Sequence, residues 1–156
     1  MSLSVPLGYT ASGMPDKVFG KRVLDLVEHG QLELNEAHLL KVGRHYRLDT
    51  RTKVIVGRNH RENAVLETFT RKGDVLLELA DMMGPTALLR GDTGEKNVAL
   101  AAALCARCSK AKGLPSAKVL VREARSAKPG RTVEVRPATD EEADAVTLAK
   151  ATSHDA

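Results

Sequence analysis

Apolar positions recur along this chain with two different periods, and the change of period divides it. Val18, Phe19, Val23, Leu26 and Val27 fall on one face of a 3.6-residue repeat, with Asp16 placed to cap the helix and Gly30 near its end. Asn35 opens a shorter helical stretch through Leu39 and Leu40 to Gly43. Ahead of both, residues 1–15 hold Pro6, Gly8, Gly13 and Pro15 among small side chains with no sustained period, which predicts an irregular arm. Beyond Gly43 the apolar runs shorten. Tyr46–Leu48 and Lys53–Val56 predict strands joined by Asp49-Thr50-Arg51-Thr52 as a four-residue hairpin connection. Asn59 or His60 opens a helix carrying Ala64, Val65 and Phe69 and closed by Gly73; strands follow at Asp74–Leu79 and Thr86–Leu89, separated by Gly84-Pro85.

The stretch from Glu95 to Lys112 has the Ala/Leu content of a single long helix ended by Gly113, with Pro115 close behind. Lys118–Val121 and Thr132–Val135 predict two more strands, with Pro129-Gly130 in a type II turn between them. Thr139-Asp140-Glu141-Glu142 has the form of a capping box opening a last amphipathic helix. The expected fold is α+β: a mostly antiparallel sheet in ββαββαββ order, packed by two or three helices, behind a short helical N-terminal preface. The expected boundaries are an irregular arm at 1–15, the preface at 16–42, the principal domain at 43–150 and a frayed tail at 151–156.

Composition changes this picture in one respect. Apolar residues at 42% and charged ones at 28% suit a folded domain, but there is no Trp and only two Phe and two Tyr, so the core must be built from Leu, Val and Ala. The same scarcity removes base stacking as the main grip on a nucleic acid and shifts the burden to phosphate contacts. Net charge is +4, and its position matters more than its size. Lys41–Arg61 carries seven Lys and Arg against Asp49 alone, with His45 and His60 as further donors; Arg107–Arg136 carries nine against Glu123 and Glu134. The acids gather instead at Asp140, Glu141, Glu142 and Asp144. A solvated cationic surface would produce the same counts, so charge alone favours a polyanionic partner only as strongly as it favours none.

Three motifs in order resemble the NFACT-R family of RNA-binding domains. Val56-Gly57-Arg58-Asn59 followed by Asn63 is similar to the family's strand-to-helix junction. Gly84-Pro85 leading to Leu88-Leu89-Arg90 is similar to its turn and strand, and Ala101-Ala102 and Ser109-Lys110-Ala111 match positions on the helix after it. Ala127-Lys128-Pro129-Gly130 precedes the last strand as in the family. The resemblance runs from about Gly43 to Pro137, and the stretch Leu39–Leu48 is similar to the segment leading into this domain when it is fused behind PP-loop tRNA thiouridine synthases. It implies a non-catalytic module binding RNA, with tRNA first, in support of tRNA thiolation. A PP-loop thiouridine synthase or the ribosome is the implied protein partner. One departure bears on the ribosomal context: where ribosome-associated members carry an aromatic and a histidine on a strand, this chain has Asp74-Val75-Leu76-Leu77-Glu78.

On these grounds the RNA-binding candidates are Arg44, Arg47, Arg58, Asn59, Arg61, Asn63, Arg90, Lys110, Lys112, Arg125, Lys128 and Arg131. Gly57 at a strand end opening a helix offers backbone N–H groups to an anion, and Arg58 adds a bidentate fork. Structural roles compete at several positions: Asn59 as a helix cap, Asn63 as a loop tie, and Lys110 and Lys112 as complements to a helix C-terminal dipole. Cys105 and Cys108 supply half of a zinc site and sit late in their helix, which favours packed structural thiols over metal or redox chemistry. Ser12-Gly13-Met14-Pro15-Asp16 lacks the second Gly and the final Ser of a PP-loop. The five histidines follow no ligand pattern. The expectation is therefore no cofactor, no metal, no catalytic residue, no membrane segment, and a cytoplasmic protein. Two rivals stand beside it: a sulfur-carrying subunit using Cys105 or Cys108, and a protein-interaction module docking through the acidic last helix.

Overall fold

The computed structural model describes residues 21–23, 25 and 38–148. The predicted arm, most of the helical preface with its caps at Asp16 and Asn35, and the frayed tail lie outside the described residues. Six strands, β1 (Arg44–Asp49), β2 (Thr52–Val56), β3 (Val75–Leu79), β4 (Thr86–Arg90), β5 (Ala117–Glu123) and β6 (Arg131–Val135), form one sheet in the order β1-β2-β4-β3-β5-β6. Every neighbouring pair is antiparallel. Helix α1 (His60–Thr68) follows β2, α2 (Glu95–Arg107) follows β4, and α3 (Asp140–Val146) follows β6. The α+β class and the ββαββαββ order agree with the expectation.

The central strands are buried on both faces, which is why Val54-Ile55-Val56, Val75-Leu76-Leu77 and Ala87-Leu88-Leu89 read as continuous apolar runs. Val54, Val56, Leu77, Ala87, Leu89, Val119 and Val121 point to one face, against Val98, Ala101, Ala102 and Cys105 of α2. Ile55, Leu76 and Leu88 point to the other, against Leu66 of α1 and Leu39. Alanines on α2 let a core without Trp close up by bringing the helix near the sheet. The outer edge of β1 is shielded where Leu148 N–H donates to the His45 carbonyl (3.0 Å) beside a Tyr46–Thr147 bridge.

Three local expectations are corrected. The long helix stops at Arg107, because Ser109 Oγ donates to the Ala106 carbonyl (2.6 Å) and accepts the Ala111 N–H (3.0 Å). That hydroxyl outcompetes the helical bond and starts a separate 3-10 turn at Lys110–Gly113. The β1–β2 connection is two residues, Thr50-Arg51, with Asp49 Oδ1 accepting the Arg51 N–H (2.8 Å). Gly130 lacks the positive φ of a type II turn; the left-handed residue of the β5–β6 connection is Arg125, at φ 55°. Gly130 is needed for close approach instead, since a Cβ there would sit 3.0 Å from the Val121 carbonyl oxygen.

The preface is tied down by buried polar groups. Arg22 donates to the carbonyls of Leu40 (2.6 Å) and Gly43 (3.0 Å). His45, fully buried, presents Nε2 to the carbonyls of Val42 (2.9 Å) and Leu39 (3.2 Å), so Nε2 carries the proton. Burial, with Arg22 and Lys53 nearby, holds its pKa well below the ordinary histidine value.

Candidate nucleic-acid interface

At the end of the sheet where β2 leaves and β4 enters, four separate segments enclose a cleft of about 430 Å³. Its walls are Arg44 from the start of β1, Gly57 to His60 with Asn63 from the β2–α1 junction, Met83-Gly84-Pro85 from the turn before β4, and Cys108-Ser109-Lys110 from the break after α2. The break explains Lys110: with α2 ended at Arg107, this lysine leaves the helix and joins the cleft. The side chains of Arg44 and Lys110 make no hydrogen bond or ion pair among the described residues.

The β2–α1 junction is rigid for reasons visible in its bonds. Asn59 caps α1, its Oδ1 accepting the Glu62 N–H (2.9 Å). Asn63 Oδ1 accepts the Thr86 N–H (3.0 Å), joining α1 to β4. Gly57 leaves room for this tie, since a Cβ there would fall 2.1 Å from Asn63 Oδ1. Two of the backbone amides expected here to meet an anion are already bonded. Gly57 N–H donates to the Thr86 carbonyl (2.9 Å), and Arg58 N–H donates to Glu62 Oε1 (2.9 Å). The Arg58 guanidinium also forks onto Glu62, at 3.0 and 2.7 Å. Glu62, a tenth exposed, thereby has its carboxyl pulled down to about 2, first by the Arg58 fork. Arg58 remains half exposed and keeps a cationic edge on the cleft. The Arg58–Glu62 spacing of four across a cap was a readable sign of this pair.

The remaining candidates divide. Arg61 is exposed on the first turn of α1, without an ionic partner among the described residues. Lys112 Nζ stands 3.8 Å from Asp140, which Arg107 also holds at 2.5 Å. The others lie away from the cleft. Arg47 forks onto Asp25 (3.3 and 2.5 Å) and fastens the preface. Arg90 forks onto Asp74 (3.0 and 2.7 Å) and donates to the Phe69 carbonyl (3.0 Å). Arg125 donates to the Thr70 carbonyl (2.7 Å), Arg131 reaches Glu95 (2.5 Å), and Lys128 stands 3.5 Å from Glu123. Register puts Arg90, Arg125 and Lys128 at the sheet end opposite the cleft and Arg131 on the far edge strand.

The two cysteines part company. Cys105 is fully buried, its thiol donating to the Pro85 carbonyl (3.5 Å), and burial pushes its pKa up to about 12. Cys108 is half-buried, lines the cleft, and lies 3.5 Å from Tyr46 Oη. Met83, largely exposed on the cleft wall, carried no sequence signal beyond its place next to a Gly-Pro turn.

A sheet sandwiched between helices, with cations from sequence-distant loops around one hollow, is the equipment of an anion-binding domain. The family model described as "NFACT protein RNA binding domain" matches residues 43–146, two thirds of the chain, and the chain belongs to that family. Comparison with curated proteins finds no match. Among solved structures, the chain resembles one titled "The structure of the C-terminal of the fibronectin/fibrinogen-binding protein from Streptococcus suis (FBPS)". The TM-score is 0.62 at 21% identity, covering 87% of this chain and 63% of that one, a likeness of fold. The chain thus spans less than two thirds of that structure's length.

Proposed function

We propose that this RNA-binding domain binds tRNA without catalysing a reaction, through phosphate contacts at the cleft, and serves tRNA thiolation in the cytoplasm beside a PP-loop thiouridine synthase. The observation that carries the RNA contact is convergence. Gly57-Arg58-Asn59 with Asn63, Gly84-Pro85, and Ser109-Lys110 come from distant parts of the chain and meet around one hollow, joined by the unpaired Arg44. These include parts of two of the three motifs through which the sequence resembles the family. Arg58, held on Glu62 at a rigid junction, loses little freedom when it meets a phosphate. The choice of tRNA and of a thiouridine synthase as partner rests on the similarity of Leu39–Leu48 to the segment found behind those enzymes. The acidic last helix supports docking of a protein partner less well, because Asp140 is held by Arg107 and Glu142 lies 3.5 Å from Arg136.

The test is a salt titration of tRNA binding by fluorescence anisotropy. A steep log-log loss of affinity is expected, made shallower by the double change Arg44→Ala and Lys110→Ala. A flat salt response, or an unchanged slope in the double variant, would remove this assignment of the cleft.

A further inference from the structure

We infer that the cleft favours hydrogen-bond acceptors: it seats the phosphate oxygens of an RNA backbone in preference to base edges, with the side-chain amides of Asn59 and Asn63 as neutral donors beside Arg44 and Lys110. This rests on the RNA-binding reading and deepens it.

Three side-chain oxygens line the cleft, and each already accepts a backbone N–H. Asn59 Oδ1 takes the Glu62 amide (2.9 Å), Asn63 Oδ1 the Thr86 amide (3.0 Å), and Ser109 Oγ the Ala111 amide (3.0 Å). Ser109 also spends its hydroxyl proton on the Ala106 carbonyl (2.6 Å), so it has no donor left to offer. These bonds fix the two asparagine amides: turning either one over would set its NH2 against an N–H donor. Their Nδ2 groups make no hydrogen bond among the described residues. Among the described residues no carboxylate lines the cleft. The His60 ring apart, its polar side chains therefore offer more free donors than acceptors.

That pattern selects among the parts of RNA. Phosphodiester oxygens only accept, whereas base edges carry donors as well as acceptors. A base edge drawn into this hollow would set its own N–H groups against amides, an ammonium and guanidinium groups, a poorer match than phosphate oxygens. The amides of Arg58, Glu62 and Asn63 are bonded within the protein, so at this end of α1 only those before Glu62 remain to join the side chains. Side chains from four segments make it.

Asn59→Asp isolates the donor from the fold. Aspartate caps a helix as well as asparagine does and suits the helix dipole, so thermal stability should hold or rise. The same change replaces a donor by a charged acceptor, and affinity for a tRNA transcript should fall about tenfold or more. Asn59→Ser keeps the cap and removes the donor without adding charge, so its loss should be smaller, about threefold. Wild-type protein should bind single-stranded RNA oligonucleotides of one length and different base composition within about twofold of one another. Wild-type affinity in Asn59→Asp, or strong preference for one base composition, overturns this phosphate seat while RNA binding stands. Absence of RNA binding by the wild-type protein overturns both.

Discussion

At one end of the sheet Arg44 and Lys110 face a cleft with no ionic partner among the described residues, while at the other Arg90, Arg125 and Lys128 are each held by a carboxylate or a carbonyl. The two sets come from basic stretches that look alike in sequence. Their difference teaches that the availability of a cation, and not the count of cations, makes a surface that binds an anion. Arg90 neutralises the buried Asp74 and satisfies the end of α1 at Phe69, so its charge belongs to folding. Arg125, in the left-handed region at φ 55°, fastens the β5–β6 connection to Thr70. Lys110 escapes such duty because Ser109 breaks the helix just before it.

The sharpest way to break this contrast is Arg90→Ala. It leaves Asp74 buried and without its fork, and should cost about 3–5 kcal/mol in urea unfolding, with RNA affinity of the folded fraction unchanged. Loss of RNA affinity without loss of stability would place Arg90 at the interface instead. Gly57→Ala comes next: its Cβ collides with Asn63 Oδ1, so stability should fall by about 1–3 kcal/mol and the cleft should weaken with it, read by paired unfolding and anisotropy. At the cleft itself, Arg44→Ala with Lys110→Ala should leave stability within about 0.5 kcal/mol. The salt slope for tRNA should drop by about two, one for each lost phosphate contact.

A pH titration sharpens the contrast on the acid side. Glu62 has its carboxyl lowered to about 2 in the folded protein, so its contribution is whole above the ordinary carboxylate value and is lost as pH falls through about 2. Glu62→Gln should therefore flatten the dependence of melting temperature on pH within that window. His45, lowered by burial, acts at higher pH: below its ordinary value near neutrality the unfolded chain takes a proton that the folded one refuses, and stability declines as acid is added. His45→Gln should remove that earlier limb. The smallest effect belongs to Lys128→Ala. Its exposed pair with Glu123 should be worth under about 0.5 kcal/mol, and tRNA affinity should change little.

Much of the fold was legible before any coordinates. The capping box at Thr139 and Glu142 forms as its spacing indicates, with Thr139 N–H donating to Glu142 (2.8 Å) and Glu142 N–H to Thr139 (3.1 Å). All six strands lie where short apolar runs put them, because burial on one or both faces leaves its period in the sequence. The helix break at Ser109 was missed because Ala and Leu around it argue for continuation, and one hydroxyl bond reversed the outcome. On α1 the expected apolar face was also displaced: Leu66 is buried and Ala64 exposed, with the carboxylate of Glu62 turned inward to Arg58. Of the candidate site, Arg44, Arg58, Asn59, Asn63 and Lys110 share the cleft, while Arg47, Arg90, Arg125, Lys128 and Arg131 are distributed elsewhere.

By itself the chain's order of residues determined which segments are strands and helices, the α+β class, the aromatic-poor core and the motifs of an RNA-binding family. These follow from local propensity and from burial, which act over a few residues at a time. Only the tertiary structure decided which cations are spent and which remain. An arginine's partner is the nearest acceptor in space, and Asp74 lies sixteen residues from Arg90, Asp25 twenty-two from Arg47 and Glu95 thirty-six from Arg131.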